Sequence, residues 1–136
     1  MATEKRIEIE SKAESITEVE KLIDGICEST SMNEDYYGNI LIAITEAVNN
    51  AMVHGNKLDP GKQIRVTCQA HDNEVKFVVE DEGDGFDFDN LPDPTDPKNI
   101  EKPNGRGVFL MRHLADEVVF SENGRRVELN FSISAN

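Results

Sequence analysis

Residues 63–80, "QIRVTCQAHDNEVKFVVE", decide the fold. Ile64, Val66, Cys68 and Ala70 alternate with Gln63, Arg65, Thr67 and Gln69, the period of two that marks a half-buried strand. "HDN" turns the chain, and Val75, Phe77 and Val79 share one face of a second strand. Working outward, a later pair around Val118–Ser121 and Arg126–Ile133 is joined by a turn at "ENG", with Val127, Leu129, Phe131 and Ile133 alternating. Ile7 and Ile9 supply an edge strand. Upstream, "SITE" at 15–18 is a capping box opening a helix with Val19, Leu22, Ile23 and Ile26 on one face. "SMNE" at 31–34 offers a second cap, for a helix expected to run to about Val53 with Gly55 as its stop. One apolar face per strand and one apolar stripe per helix give an α+β two-layer sandwich. Its single mixed sheet is covered by helices on one face.

Composition narrows the function. A chain of 136 residues with 38% hydrophobic content reads as one domain, 1–136, with enough apolar material for a core. A net charge of −13 argues against direct binding of nucleic acid or an anionic membrane, because phosphate backbones are held by Lys and Arg. The start, "MATEKRIEIE", has no apolar core of a secretory signal, and no apolar run nears the roughly 20 residues that span a bilayer. Cys27 and Cys68 match no metal or redox spacing and read as reduced core thiols of a cytoplasmic protein.

Three short stretches carry chemistry. In "ITEAVNNAMVHGNK", residues 44–57, Leu41, Ile44, Val48 and Ala51 form a core stripe at about 100° per residue. Glu46, Asn50, Val53 and Lys57 fall on the other side, and an isolated Glu and Asn there would read as a solvated face. In "VKFVVEDEGDG", alternation turns Asp81 inward with Val75, Phe77 and Val79, where a carboxylate needs a donor. The functional reading makes Asp81 an acceptor for a ligand amino group, with Gly83 and Gly85 clearing space for backbone approach; the bland one is a strand end and turn. A calcium loop fails, since no register places acids at positions 1, 3 and 5, Gly at 6 and Glu at 12. In "NGRGVFLMRHLADEV", Gly105 and Gly107 bracket a helix start whose amides face an anion, with Arg106 adding charge; the bland reading is a turn into a helix over Val108, Leu110, Met111 and Leu114. Between the last two lie residues 86–104, with four prolines and almost no periodicity, which favours a lid.

Taken in this order, the three stretches resemble the GHKL (Bergerat-fold) ATP-binding domains shared by histidine kinases and type II topoisomerases. "EAVNNAMVHG" is similar to that family's N-box, "DEGDGF" to its first glycine box and "GRGVFLMRHLADEV" to its second. With "LPDPTDP" leading into "GRGVFLMR", the chain is most similar to the bacterial anti-sigma-factor serine/threonine kinases, from about residue 5 to 134. The resemblance implies that Asn50 coordinates Mg²⁺ on the triphosphate of ATP and that Glu46 is the general base. It implies that Asp81 recognises the adenine amino group, and that Gly105, Arg106 and Gly107 lie by the phosphates. An i, i+4 spacing brings Glu46 and Asn50 together, as such roles require. Two departures stand out: Gly124-Arg125-Arg126 occupies a place often held by Gly-Thr, and Pro103-Asn104 one that can hold an arginine.

Residues 80–101 carry nine acids against one lysine, so Mg²⁺ is a requirement of this reading. The implied function is a protein kinase that phosphorylates a small antagonist (anti-anti-sigma) protein and, in the other arm of a partner switch, sequesters a sigma factor; the resemblance also allows a homodimer. Residues 1–35 are too short for the phosphoacceptor helix pair of a histidine kinase. The rival is a non-catalytic, nucleotide-gated binding module of the same fold; Glu46 favours the enzyme, because binding alone needs no base.

Overall fold

The computed structural model describes residues 2–30, 34–71, 73–85 and 106–133. Strand β1 (Ala2–Glu10) leads into helices α1 (Ile16–Thr30) and α2 (Glu34–Asn50), followed by the hairpin β2 (Gln63–His71) and β3 (Glu74–Glu80). Helix α3 (Arg106–Leu114) then precedes β4 (Glu117–Ser121) and β5 (Arg126–Ser132). The five strands lie in the order β1-β2-β3-β5-β4. Every pairing is antiparallel, so the sheet is not mixed as expected from sequence. β2–β3 and β4–β5 are hairpins, and β1 and β5 both run against the neighbours that those hairpins present.

The alternation read in residues 63–80 is what the register uses. Ile7, Val66, Val79, Val127 and Phe120 form one inward row across all five strands, and Cys68, Phe77, Leu129 and Val118 form the next. Phe77 meets Phe131 edge to face, ring centroids 6.2 Å apart, in the arrangement aromatic quadrupoles prefer. The outward face is polar, and its row Glu8, Arg65, Glu80, Arg126 alternates in charge from strand to strand. One face therefore needs a cover, and the helices provide it. α1 buries Val19, Leu22, Ile23 and Ile26 as its spacing predicts. α2 buries Ile40, Ala43, Ile44, Ala47 and Val48, whereas Leu41 is only half-buried, so the contact stripe is rotated from the expected one. Cys68 is buried and free, and burial pushes its thiol up to about 12; Cys27, expected in the core, is only half-buried against it.

The expected start of α2, Ser31, lies outside the described residues. Its helical run stops at Gly55 as expected, but by a different geometry. The helix widens into a π-turn over Ala51–Gly55, and the Asn56 N–H donates to the Ala51 carbonyl at 2.7 Å. Gly55 is not in the left-handed region. Lys57 and Leu58 are, with φ of 53° and 57°. What position 55 requires is the absence of a side chain, because a Cβ there would overlap the Asp81 carboxylate.

Directly after this turn sits Asn56, 1% exposed. Its amide Nδ2 donates to Ser11 Oγ at 2.8 Å and to the Gln63 carbonyl at 3.1 Å, and its Oδ1 accepts the Glu82 N–H at 2.8 Å. Ser11 in turn donates to the Lys62 carbonyl at 2.7 Å. One side chain thus ties the ends of β1, α2 and β3 to the start of β2. Replacing Asn56 by Ala strands these buried partners, and the expected loss is on the order of 2 kcal/mol. Urea unfolding measures it; an unchanged midpoint would show that the knot contributes nothing.

Candidate functional site

The end of α2, the end of β3 and the start of α3 converge on one side of the sheet's covered face. Asp81 continues the inward face of β3. Its N–H donates to the Arg125 carbonyl at 2.9 Å, which fixes the strand end against the β4–β5 turn. Its Oδ1 accepts the Gly83 N–H at 2.8 Å, an Asx-type turn that supplies part of the donor set the sequence demanded. The rest of the carboxylate lies over Gly55. A Cβ built on Gly55 would overlap Oδ2, Cγ and Oδ1 of Asp81, so helix end and carboxylate meet only because residue 55 has no side chain.

Gly83 and Gly85 serve the chain's own packing. A Cβ at Gly83 would overlap the carbonyl of Gly55, and one at Gly85, where φ is +89°, would overlap the carbonyl of Asn123. The first glycine box is therefore clamped between the end of α2 and the β4–β5 turn. Both glycines permit close approach of protein backbone, that of Gly55 and of Asn123.

Glu46 and Asn50 are half-buried on α2, one turn apart, unlike the exposed Asn49 between them. A Cβ built on Gly107 would stand 3.0 Å from Glu46 Oε2, so the first turn of α3 rests on this carboxylate. The free amides and the dipole of a helix N-terminus favour a negative group at that place. Arg106 begins α3; Gly105 and the expected lid, 86–104, lie outside the described residues. Behind the site, α3 buries Val108 and Met111 against the core.

Burial raises the Asp81 carboxyl above its ordinary value, partly offset by the Gly83 N–H and by the positive charges of Arg125 and Lys62. Arg125 thus has a role that sequence did not reveal: its carbonyl anchors the Asp81 N–H, and its positive charge offsets part of the burial-driven rise at the Asp81 carboxyl. Asn56 and Gly55 were missed as well. The signal for both was a Gly-Asn pair ending a helix, but Gly55 meets Asp81 and Asn56 meets Ser11 and Glu82, partners on other elements that leave no trace in local periodicity.

Among the described residues no three His, Cys, Asp or Glu side chains gather into a metal site. Mg²⁺ keeps several waters and takes most of its compensation from phosphates, so one or two protein oxygens suffice. The neutral, half-buried amide of Asn50 beside Glu46 is a donor set of that kind.

A strand-end acid, a helix-borne Glu/Asn pair and a glycine-flanked helix start, built on one antiparallel sheet, define a nucleotide-binding domain. The chain belongs to the histidine kinase-like ATPase family, whose profile matches residues 9–131. It is 30% identical over 118 residues to the serine-protein kinase RsbW of Bacillus cereus strain AH187, covering 82% of this chain and 73% of that protein. The same figures hold for the RsbW proteins of Bacillus anthracis strain A0248 and Bacillus thuringiensis strain Al Hakam. In fold it is similar to the RsbU and RsbW domains of a Mycobacterium tuberculosis protein, with a TM-score of 0.67 at 16% identity. That match covers 98% of this chain and 33% of the longer one.

The raised Asp81 carboxyl fixes a pH dependence. A group that holds its proton more tightly when folded leaves stability highest below its ordinary value of 3.8; stability then falls as pH rises through the interval up to the raised value, and stays lower above it. Asp81→Asn is therefore expected to unfold at a higher temperature than wild type near neutral pH, with the advantage gone below 3.8. Thermal melts at both pH values check this; an advantage of equal size at both would rule out burial of charge as its source.

Proposed function

We propose that this chain, as a single domain, is an ATP-dependent protein serine/threonine kinase of a cytoplasmic partner switch. It binds Mg-ATP, phosphorylates a serine or threonine of a small antagonist protein, and sequesters a sigma factor when that antagonist is modified. The observation that carries this reading is the Glu46 carboxylate, half-buried and held against the first turn of α3, where the triphosphate belongs. The kinase names of the Bacillus relatives support it.

In this mechanism Asp81 accepts a hydrogen bond from the adenine amino group and sets the register of the nucleotide. The α3 N-terminus, with Gly105, Arg106 and Gly107, holds phosphate oxygens. Asn50 offers its amide oxygen to Mg²⁺, which, when bound, neutralises charge developing on the phosphates. Glu46 takes the proton from the incoming hydroxyl as its oxygen bonds to the γ-phosphorus. The bond from the γ-phosphorus to the bridging oxygen breaks, and ADP leaves. The residues 86–104 would close over the nucleotide as a lid.

A second reading has one observation in its favour. The first turn of α3 packs on the Glu46 carboxylate at Gly107, a contact that a non-catalytic, nucleotide-gated binding module would use equally well.

Glu46→Gln separates the two. It keeps shape and hydrogen-bonding reach but cannot take the proton, so it is expected to bind Mg-ATP nearly as wild type and to phosphorylate the antagonist about 10²–10⁴-fold more slowly. Intact mass of the antagonist after incubation with ATP and Mg²⁺ gives the rate. Equal rates would remove Glu46 as the base, and binding without any transfer in wild type would favour the gated module. Asn50→Ala is expected to lower ATP affinity to the level wild type shows with a chelator. If wild type binds ATP equally with Mg²⁺ and with the chelator, Asn50 is not a metal ligand.

A further inference from the structure

We propose that Gly55, at the end of the α2 π-turn, is a positioning residue for Asp81 that sets how selectively the site reads a purine base. The consequence for base selectivity rests on the reading of the site as an adenine pocket; the contact itself does not.

Two glycines meet at this point, and they differ in what a side chain would strike. At Gly83 the obstacle is the Gly55 carbonyl, which belongs to the main chain and can move only by lifting the end of α2 off β3. At Gly55 the three nearest atoms are all of one side chain, the carboxylate of Asp81. A methyl group there can be accommodated by turning that carboxylate away, without moving the backbone. The Asp81 main chain stays anchored through its N–H to the Arg125 carbonyl, and the hydrogen bond most exposed to loss is that from the Gly83 N–H to Oδ1. The two glycines, indistinguishable in sequence, are therefore separable: residue 83 governs whether the elements dock, and residue 55 governs where the acid points.

Selectivity follows from geometry. A carboxylate accepts from the 6-amino group of adenine and repels the 6-oxo group of hypoxanthine, so the ratio of ATP to ITP affinity reports how well Asp81 is aimed. Because the misplaced group is the discriminating one, Gly55→Ala should alter this ratio more than it alters the contribution of the phosphates, which are held by other elements.

The experiment is a cycle of Gly55→Ala, Asp81→Ala and the double variant, read by thermal melting without nucleotide and by Mg-ATP and Mg-ITP affinity. Gly55→Ala is expected to melt below wild type. The double variant should recover at least half of that loss relative to Asp81→Ala alone, because the collision partner has gone. The ATP:ITP ratio of Gly55→Ala should fall about tenfold, the weight of one well-made hydrogen bond to a charged acceptor, to near that of Asp81→Ala. The double variant should show no further fall. If the melting losses simply add, Gly55 does not position Asp81 and the proposal is overturned. An unchanged ATP:ITP ratio in Gly55→Ala, against a wild type that does discriminate, overturns it too. If wild type binds ATP and ITP equally, the adenine reading and the selectivity role fall together, whereas recovery of melting in the double variant still establishes the contact. Should Gly55→Ala fail to fold while the double variant folds, the coupling is established in its strongest form; failure of both would mean that residue 55 meets backbone, and the positioning role is lost.

Discussion

The end of α2 and the end of β3 touch through atoms that almost no other residue types would allow. The Gly55 carbonyl occupies the space a side chain at Gly83 would need, and the Asp81 carboxylate occupies the space a side chain at Gly55 would need. The helix layer thus comes down onto the sheet at the strand terminus and leaves no gap there. Around this contact, Asn56 closes the hydrogen bonds of four chain segments, and Gly85 admits the β4–β5 turn from the other side. The location of the site follows. A carboxylate at the edge of this contact is half-buried by construction, and its raised affinity for a proton is the electrostatic consequence of the packing.

The placement of Glu46 complements this. One acid sits where protein covers it and positive charges only partly compensate. The other lies half-buried on α2, with the first turn of α3 packed on it at Gly107. The two carboxylates lie on different elements and are held by different means, so each can be altered without rebuilding the other. In a chain of net charge −13 that separation matters, because further acids near either group would raise the cost of bringing in a polyanion.

Much of the fold was legible because its signals are local. The alternation in residues 63–80 and 126–133, and the apolar spacing of α1, each sit within one element, and the structure uses them as written. The inward turn of Asp81 was readable for the same reason. What sequence did not yield depends on partners far along the chain. Strand direction depends on which strands become neighbours, and no periodicity states that β3 will pair with β5. The rotation of α2 that buries Ile40 and leaves Leu41 half-covered is set by what packs against it. Gly55 was read as a helix stop because glycine has two uses, left-handed backbone and close approach, and only the structure distinguishes them. The Glu46–Gly107 contact joins residues 61 apart, and local pattern cannot reach it.

The polar outer face of the sheet has a bearing on how the strands find their places. A strand that slides by two residues keeps its apolar side chains inward, so a core built from alternating Val, Ile, Cys and Ala cannot by itself reject the error. The row Glu8, Arg65, Glu80, Arg126 can. In the native alignment each charge faces its opposite on the neighbouring strand, and a slide of two at the β2–β3 seam that sets Arg65 against Val78 takes from Glu80 one of its two facing cations, leaving Arg126. Proofreading of alignment is thus carried by water-exposed charges. A salt-rich solution, which screens them, would weaken the discrimination between the native alignment and its shifted neighbours while leaving the core's own attraction intact.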